Sequence, residues 1–313
     1  MDQNRKYTTV HSVRILVIAM AVSMAAGLII QVIKDPNIKT LVSILIPQVC
    51  YLAVGLILIK KEQFPIKDIV PSDIGVYPLG VLLTIPIAAA VVLQNLVFAT
   101  SFGWLADKLK IGLDVTLDIA NPIYAVFGVL IIAILPAVSE EFMFRGVIMS
   151  SLRERGFWYS VFVSAAVFAL SHLNVKQLIH PFLLGSLLAY ITLKTGNITY
   201  AVCIHFINNV IALFMNQIPF FANLMIYSPK NLGILFGLMA LGAVVLYPTV
   251  WLLLKATQSS QRFRKYSEPS PYEKASEKPI RGIDKPILFL CVVFVALMFL
   301  TAFATAFSNI KTN

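Results

Sequence analysis

Charge is scarce in this sequence. Only 13% of its 313 residues are Asp, Glu, Lys or Arg, where a soluble domain carries about a quarter. Hydrophobic residues make up 58% of the chain, and the mean hydropathy is +0.83. That balance excludes an ordinary soluble globular domain. Cysteine is nearly absent: Cys50, Cys203 and Cys291 are the whole complement. All three fall in apolar stretches, which argues against a disulfide framework or a metal knuckle and suits small packing groups. No internal repeat stands out, and no Gly/Ser linker divides the chain into soluble domains. Basic residues do not interleave with aromatics in a nucleic-acid motif, so the net charge of +10 implies no nucleic-acid partner.

What the sequence has instead is long apolar runs. Nine are read, at about 13–33, 40–59, 77–102, 124–149, 157–172, 177–195, 198–216, 231–254 and 286–306, most near the roughly 20 residues that a helix needs to cross a bilayer. They do not alternate apolar with polar residues, which excludes a β-barrel. The expected fold is all-α: a polytopic transmembrane helical bundle of about eight core helices plus one appended C-terminal helix. Nine crossings put the termini on opposite sides. With the N-terminus inside, 17 of the 25 Lys and Arg residues lie on the inner side and 7 on the outer, Arg145 being within a span. That asymmetry predicts a cytoplasmic N-terminus, and the basic excess is suited to anionic lipid. The first run follows a basic segment, and "AVSMAAG" loosely mimics a cleavage site. Its apolar stretch continues to Ile33, too far for a cleaved signal, so it reads as a retained anchor.

Four segments are expected: N-terminal transmembrane helices over 1–70, a catalytic core over 71–254, a basic loop over 255–285 and a C-terminal transmembrane helix over 286–313. The loop is rich in Ser, Pro and charge with little to bury. Between the third and fourth runs, Leu105, Leu109, Leu113 and Leu117 recur every four residues among Lys108, Asp114 and Asp118. That pattern predicts an amphipathic helix over 103–119 at the membrane surface, either a connector or a lid beside a substrate entrance. The fifth run is short, so His172 is expected where a helix ends within the protein.

The polar residues within these runs carry the functional signal. The fourth run contains Glu140, Glu141 and Arg145, and each charge at mid-membrane costs about 2.5–3.5 kcal/mol on insertion scales. Glu141 and Arg145 are four apart and can pair on one helix face, whereas Glu140 points about 100° away and is left free. Pro136 cannot donate to the carbonyl of Ile132, which predicts a kink. His172 ends "VFALSH", one turn after Phe168, and His205 shares a face with Asn209 in "HFINN". His11 is expected in solvent and His180 in a structural role. A structural ion pair joining two helices would account for Glu141 and Arg145 alone. Two histidines, an asparagine and a free glutamate fit hydrolysis: Glu140 as general base, His172 holding water, and His205 with Asn209 donating to an oxyanion.

The runs "EEFMFR", "FALSH" and "HFINN" occur in order on successive helices, and through them the chain resembles the CAAX-protease and bacteriocin-processing family of intramembrane glutamic endopeptidases, related to the type II CAAX prenyl endopeptidases. The similarity covers roughly residues 70–255. It implies an eight-helix core opening toward the cytoplasm and glutamate-based peptide hydrolysis. Glu140 and His172 would activate water, His205 and Asn209 would stabilise the oxyanion, and Glu141 and Arg145 would support them. It also implies a multi-pass protein of a bacterial cell membrane, whose partners are the lipid bilayer and a membrane-embedded or lipid-anchored substrate. No cofactor is expected. The alternatives are a metalloprotease with zinc on Glu140, His172 and His205, though there is no His-Glu-x-x-His segment, and a non-enzymatic bacteriocin-immunity or scaffold protein. Counted from the inner ends of their runs, Glu140 lies about 14 Å deep and His172 some 22 Å. Either the fifth helix tilts strongly or a boundary differs.

Overall fold

The computed structural model describes residues 7–72, 75–113, 117–261, 282 and 284–311, and among them there is no named β-strand. All nine apolar runs are helical. Seven helices are long and apolar enough to cross a membrane, and the helices over Phe157–Ser171 and Thr199–Met215 are shorter. The protein is an integral, multi-pass helical membrane protein.

In chain order, α1 covers Thr9–Gly27, α2 Pro36–Lys61, α3 Ile66–Ile69 and α4 Pro78–Lys108. A continuous helical segment, α5, covers Pro122–Arg155. Then come α6 Phe157–Ser171, α7 Ile179–Thr195, α8 Thr199–Met215, α9 Pro219–Leu224, α10 Pro229–Gln261 and α11 Lys285–Lys311. Their starts follow local chemistry. Asp35 accepts from the Ile38 amide ahead of Pro36, and Asn121 accepts from Ile123 ahead of Pro122. A capping side chain followed by proline at the first helical position starts a helix cleanly. Gly156, at φ 111°, makes the turn between α5 and α6. An L side chain would be strained there.

The centre of the bundle is α5, whose residues 139–150 are buried all round. It is packed by α1, α2, α6 and α8, while α10 lies along α4 and α6 along α7. A helix buried on every face belongs in the middle of a bundle, and this one carries the charged residues. Its ladder is irregular, with π-helical turns over Val129–Ile134 and Glu141–Ile148 on either side of a short α-helical stretch. Pro136 supplies no N–H to the ladder, and such bulges often mark functional sites.

Three expectations change. The depth discrepancy disappears because α5 runs on to Arg155 rather than ending near 149. Glu140 and His172 then lie about 16 residues on either side of Gly156, roughly 24 Å along each helix at 1.5 Å per residue. Residues 103–108 are the last turns of α4 rather than the start of a surface helix, and the chain leaves the helix through Lys110, at φ 56°. Of the four spaced leucines only Leu105 lies within α4, with Leu109 at its cap; residues 114–116 are outside the described set. The basic loop also begins later, since α10 continues to Gln261, and residues 262–281 lie outside the described set.

The last helix is stapled to the bundle. Asp284, 1% exposed, caps α11 by accepting from the Ile287 amide, and its other carboxylate oxygen accepts from Thr9 Oγ1 at 3.0 Å and Arg155 Nη2 at 2.9 Å. Farther along, Thr301 Oγ1 donates to the Leu173 carbonyl at 3.0 Å, in the turn that follows His172. Replacing Asp284 by Ala removes a cap and two cross-helix bonds. Thermal unfolding in detergent micelles should show a loss of about 1–3 kcal/mol.

Candidate active site

Glu140 and Glu141 are consecutive on α5, and both reach one imidazole. His205 Nδ1 is 2.8 Å from Glu141 Oε1, and His205 Nε2 is 3.7 Å from Glu140 Oε2. The two ring nitrogens point in diverging directions, so a single ring on α8 spans carboxylates that leave α5 at different angles. Glu140 is therefore not left free. Its other oxygen, Oε1, accepts from Gln48 Nε2 at 2.8 Å, and Ser139 Oγ in turn is hydrogen-bonded to Gln48 Oε1. Glu140 is 8% exposed and His205 3%.

The expected Glu141–Arg145 pair is present, with Arg145 Nη1 2.9 Å from Glu141 Oε1 and both side chains fully buried. Arg145 Nη2 donates to the Gly185 carbonyl on α7 at 3.1 Å, and the guanidinium lies 4.7 Å from the centre of the Phe168 ring. Gly185 has to be glycine at this crossing. A Cβ there would sit 2.9 Å from Phe168 Cδ1 and 3.2 Å from Arg145 Nη2. The guanidinium thus ties three helices, α5, α6 and α7, and its charge is neutralised locally.

His172 caps the end of α6, and its Nδ1 is 2.9 Å from the Phe168 carbonyl. A carbonyl only accepts, so Nδ1 carries the proton and Nε2 of the neutral ring has the free lone pair. The Phe168 ring stands edge-on between the two histidines, 5.0 Å from the His172 ring and 5.9 Å from that of His205. Asn209 Nδ2 donates to the Ile132 carbonyl at 3.3 Å. That is the carbonyl to which Pro136 cannot donate, so α8 supplies the donor that proline removes from α5. One amide N–H of Asn209 remains for another acceptor.

Contact therefore unites Glu140, Glu141, Arg145 and His205. His172 joins them through Phe168, and Asn209 lies one turn beyond His205 on α8. Neither His172 nor Asn209 hydrogen-bonds to Glu140. His11 is held by Thr8 and lies 3.8 Å from Glu62, so it is not a freely solvated group. Gln48 and Ser139 are the residues that the sequence reading missed. The signal was available: an amide inside an apolar span is costly unless partnered, and Gln48 is such an amide. As for zinc, no three His, Cys, Asp or Glu side chains among the described residues gather as a metal-donor cluster. Glu140, His172 and His205 do not form one.

Removing one partner of a buried ion pair leaves the other charge uncompensated, at about 3–5 kcal/mol. Arg145→Leu should lower the unfolding free energy in micelles by that amount. A loss below about 1 kcal/mol would show that the guanidinium does not hold the helices together.

No curated protein and no solved structure matches the chain. Residues 122–211 match a protein family, described as type II CAAX prenyl endopeptidase Rce1-like. The matched stretch runs from the first residue of α5 into α8 and is narrower than the 70–255 expected from the motifs. It contains every residue of the cluster except Gln48, along with His172 and Asn209. Over this central stretch the chain carries the pattern of the CAAX-protease family, which the three short motifs had suggested.

Proposed function

We propose that the protein is an intramembrane endopeptidase that hydrolyses a membrane-embedded or lipid-anchored protein, using water activated by Glu140. The observation that supports this reading is the buried cluster itself: Glu140 faces His205 on the matched stretch, and the rest of the charge is paired off by Arg145.

In the proposed reaction, Glu140 takes a proton from water as the water oxygen bonds to the scissile carbonyl carbon. His172, with Nδ1 committed to the Phe168 carbonyl, offers Nε2 to the same water. The carbonyl π pair moves onto oxygen, giving an oxyanion that accepts from Asn209 and His205. Collapse of that intermediate breaks the C–N bond, and the leaving amine receives its proton from Glu140. Glu141 on Nδ1 orients the His205 ring so that Nε2 faces the Glu140 side, and Nε2 donates when it carries the proton. The family match makes a protein ending in a prenylated CAAX sequence the first substrate class to test. By the charge asymmetry of the loops, the N-terminus faces the cytoplasm.

The test uses purified protein in proteoliposomes, with a fluorogenic peptide carrying a farnesylated cysteine and its unprenylated counterpart. Cleavage by the wild type should fall by at least about 100-fold in Glu140→Gln. Equal cleavage by both would remove Glu140 from the chemistry. If neither peptide is cut, the membrane proteome of cells with and without Glu140→Gln should still differ in newly exposed peptide termini. No difference would favour the non-enzymatic immunity or scaffold role.

A further inference from the structure

We propose that Gln48, on α2 and outside the stretch that matches the family, is a positioning residue that holds the Glu140 carboxylate in register for proton transfer. This rests on the endopeptidase reading above and extends it to a helix that the motifs do not reach.

The geometry is a buried chain of three side chains. Gln48 is 6% exposed, Ser139 0% and Glu140 8%. Gln48 Nε2 lies 2.8 Å from Glu140 Oε1, Gln48 Oε1 is hydrogen-bonded to Ser139 Oγ, and Ser139 Oγ lies 2.8 Å from the Leu135 carbonyl. Other charged or titratable groups near Glu140 are His205 on α8, Tyr51 on α2, and Glu141 and Arg145 on its own helix. None of these is hydrogen-bonded to Oε1. That oxygen is held by Gln48, which leaves Oε2 to face His205.

The same heavy-atom positions satisfy two proton arrangements. With Glu140 ionised, the Ser139 hydroxyl donates to Gln48 Oε1 and the Gln48 amide donates to Glu140 Oε1. With Glu140 protonated, the carboxamide turns over. Glu140 then donates to Gln48 Oε1, Gln48 Nε2 donates to Ser139 Oγ, and Ser139 donates to the Leu135 carbonyl. A carboxamide has both a donor and an acceptor end and a hydroxyl has both roles, so both states keep each contact of the chain hydrogen-bonded. A general base passes through both states in every turnover. A leucine at position 48 would serve neither, and a lysine would serve only the ionised one.

Two readouts test this. In protein labelled with [15N]glutamine in micelles, the Gln48 side-chain amide resonance, assigned by its loss in Gln48→Leu, should move when Glu140 is changed to Ala. With the farnesylated-cysteine peptide as probe, Gln48→Leu should lower kcat by about 10- to 100-fold, the worth of a hydrogen bond to a charged group, while KM stays within about threefold. Should Gln48→Leu fail to fold, Ser139→Ala takes its place, with a kcat loss of about 3- to 10-fold. A Gln48 resonance indifferent to Glu140→Ala overturns the proposal, as does wild-type kcat in both variants. Absence of wild-type cleavage of this peptide together with no difference in membrane-protein termini between cells with and without Glu140→Gln, the resonance still moving, overturns the endopeptidase reading instead and leaves the Gln48–Glu140 contact standing.

Discussion

A pair of adjacent carboxylates shares one imidazole in the middle of an apolar bundle, and much of the architecture follows from keeping that arrangement solvent-poor and neutral. Two carboxylates, one guanidinium and a neutral imidazole sum to one negative charge; protonating the imidazole brings the sum to zero. Uncompensated charge is what a low-dielectric interior tolerates least. Arg145 pairs with Glu141 and so offsets one of the two carboxylate charges. Its own place is secured by the Gly185 carbonyl and the Phe168 ring, so α6 and α7 are held to α5 by the group that balances its charge.

The distortions of α5 belong to the same account. Pro136 and the two π-helical turns break the regular ladder around the acidic pair. The carbonyl that this leaves at Ile132 is met by Asn209 from α8. Asn209 thus commits one N–H of its amide to α5, and its second N–H is not used by that contact. α5, which carries Glu140, and α8, which carries His205 and Asn209, are fastened together at the residue where the ladder fails.

Much of this was legible in the sequence. The nine helices follow from apolar runs alone, because a bilayer demands length and hydropathy and little else. Glu141 with Arg145, and His205 with Asn209, could be paired by helical spacing before any coordinates. The rest depended on tertiary placement. Spacing along α5 set Glu140 apart from Glu141, yet a ring from another helix touches both, which no single-helix argument can show. Gln48 is separated from Glu140 by 92 positions, so local pattern offers no link between them. The C-terminal end of α5 lies beyond the apolar run because "SSLRER" is polar, although its helical geometry continues to Arg155. Likewise α4 outlasts its apolar run and stays helical to Lys108.

The proposed chemistry turns on Glu140 and His205 acting as one unit, the first on water and the second on the oxyanion. A double-mutant cycle on kcat with the farnesylated-cysteine peptide tests it most directly, using Glu140→Gln, His205→Ala and the pair together. Residues that act as a unit lose their effect once, so the double variant should be no slower than the worse single variant within about threefold. Losses that multiply would mean that the two side chains contribute separately, and the joint-action account would be wrong.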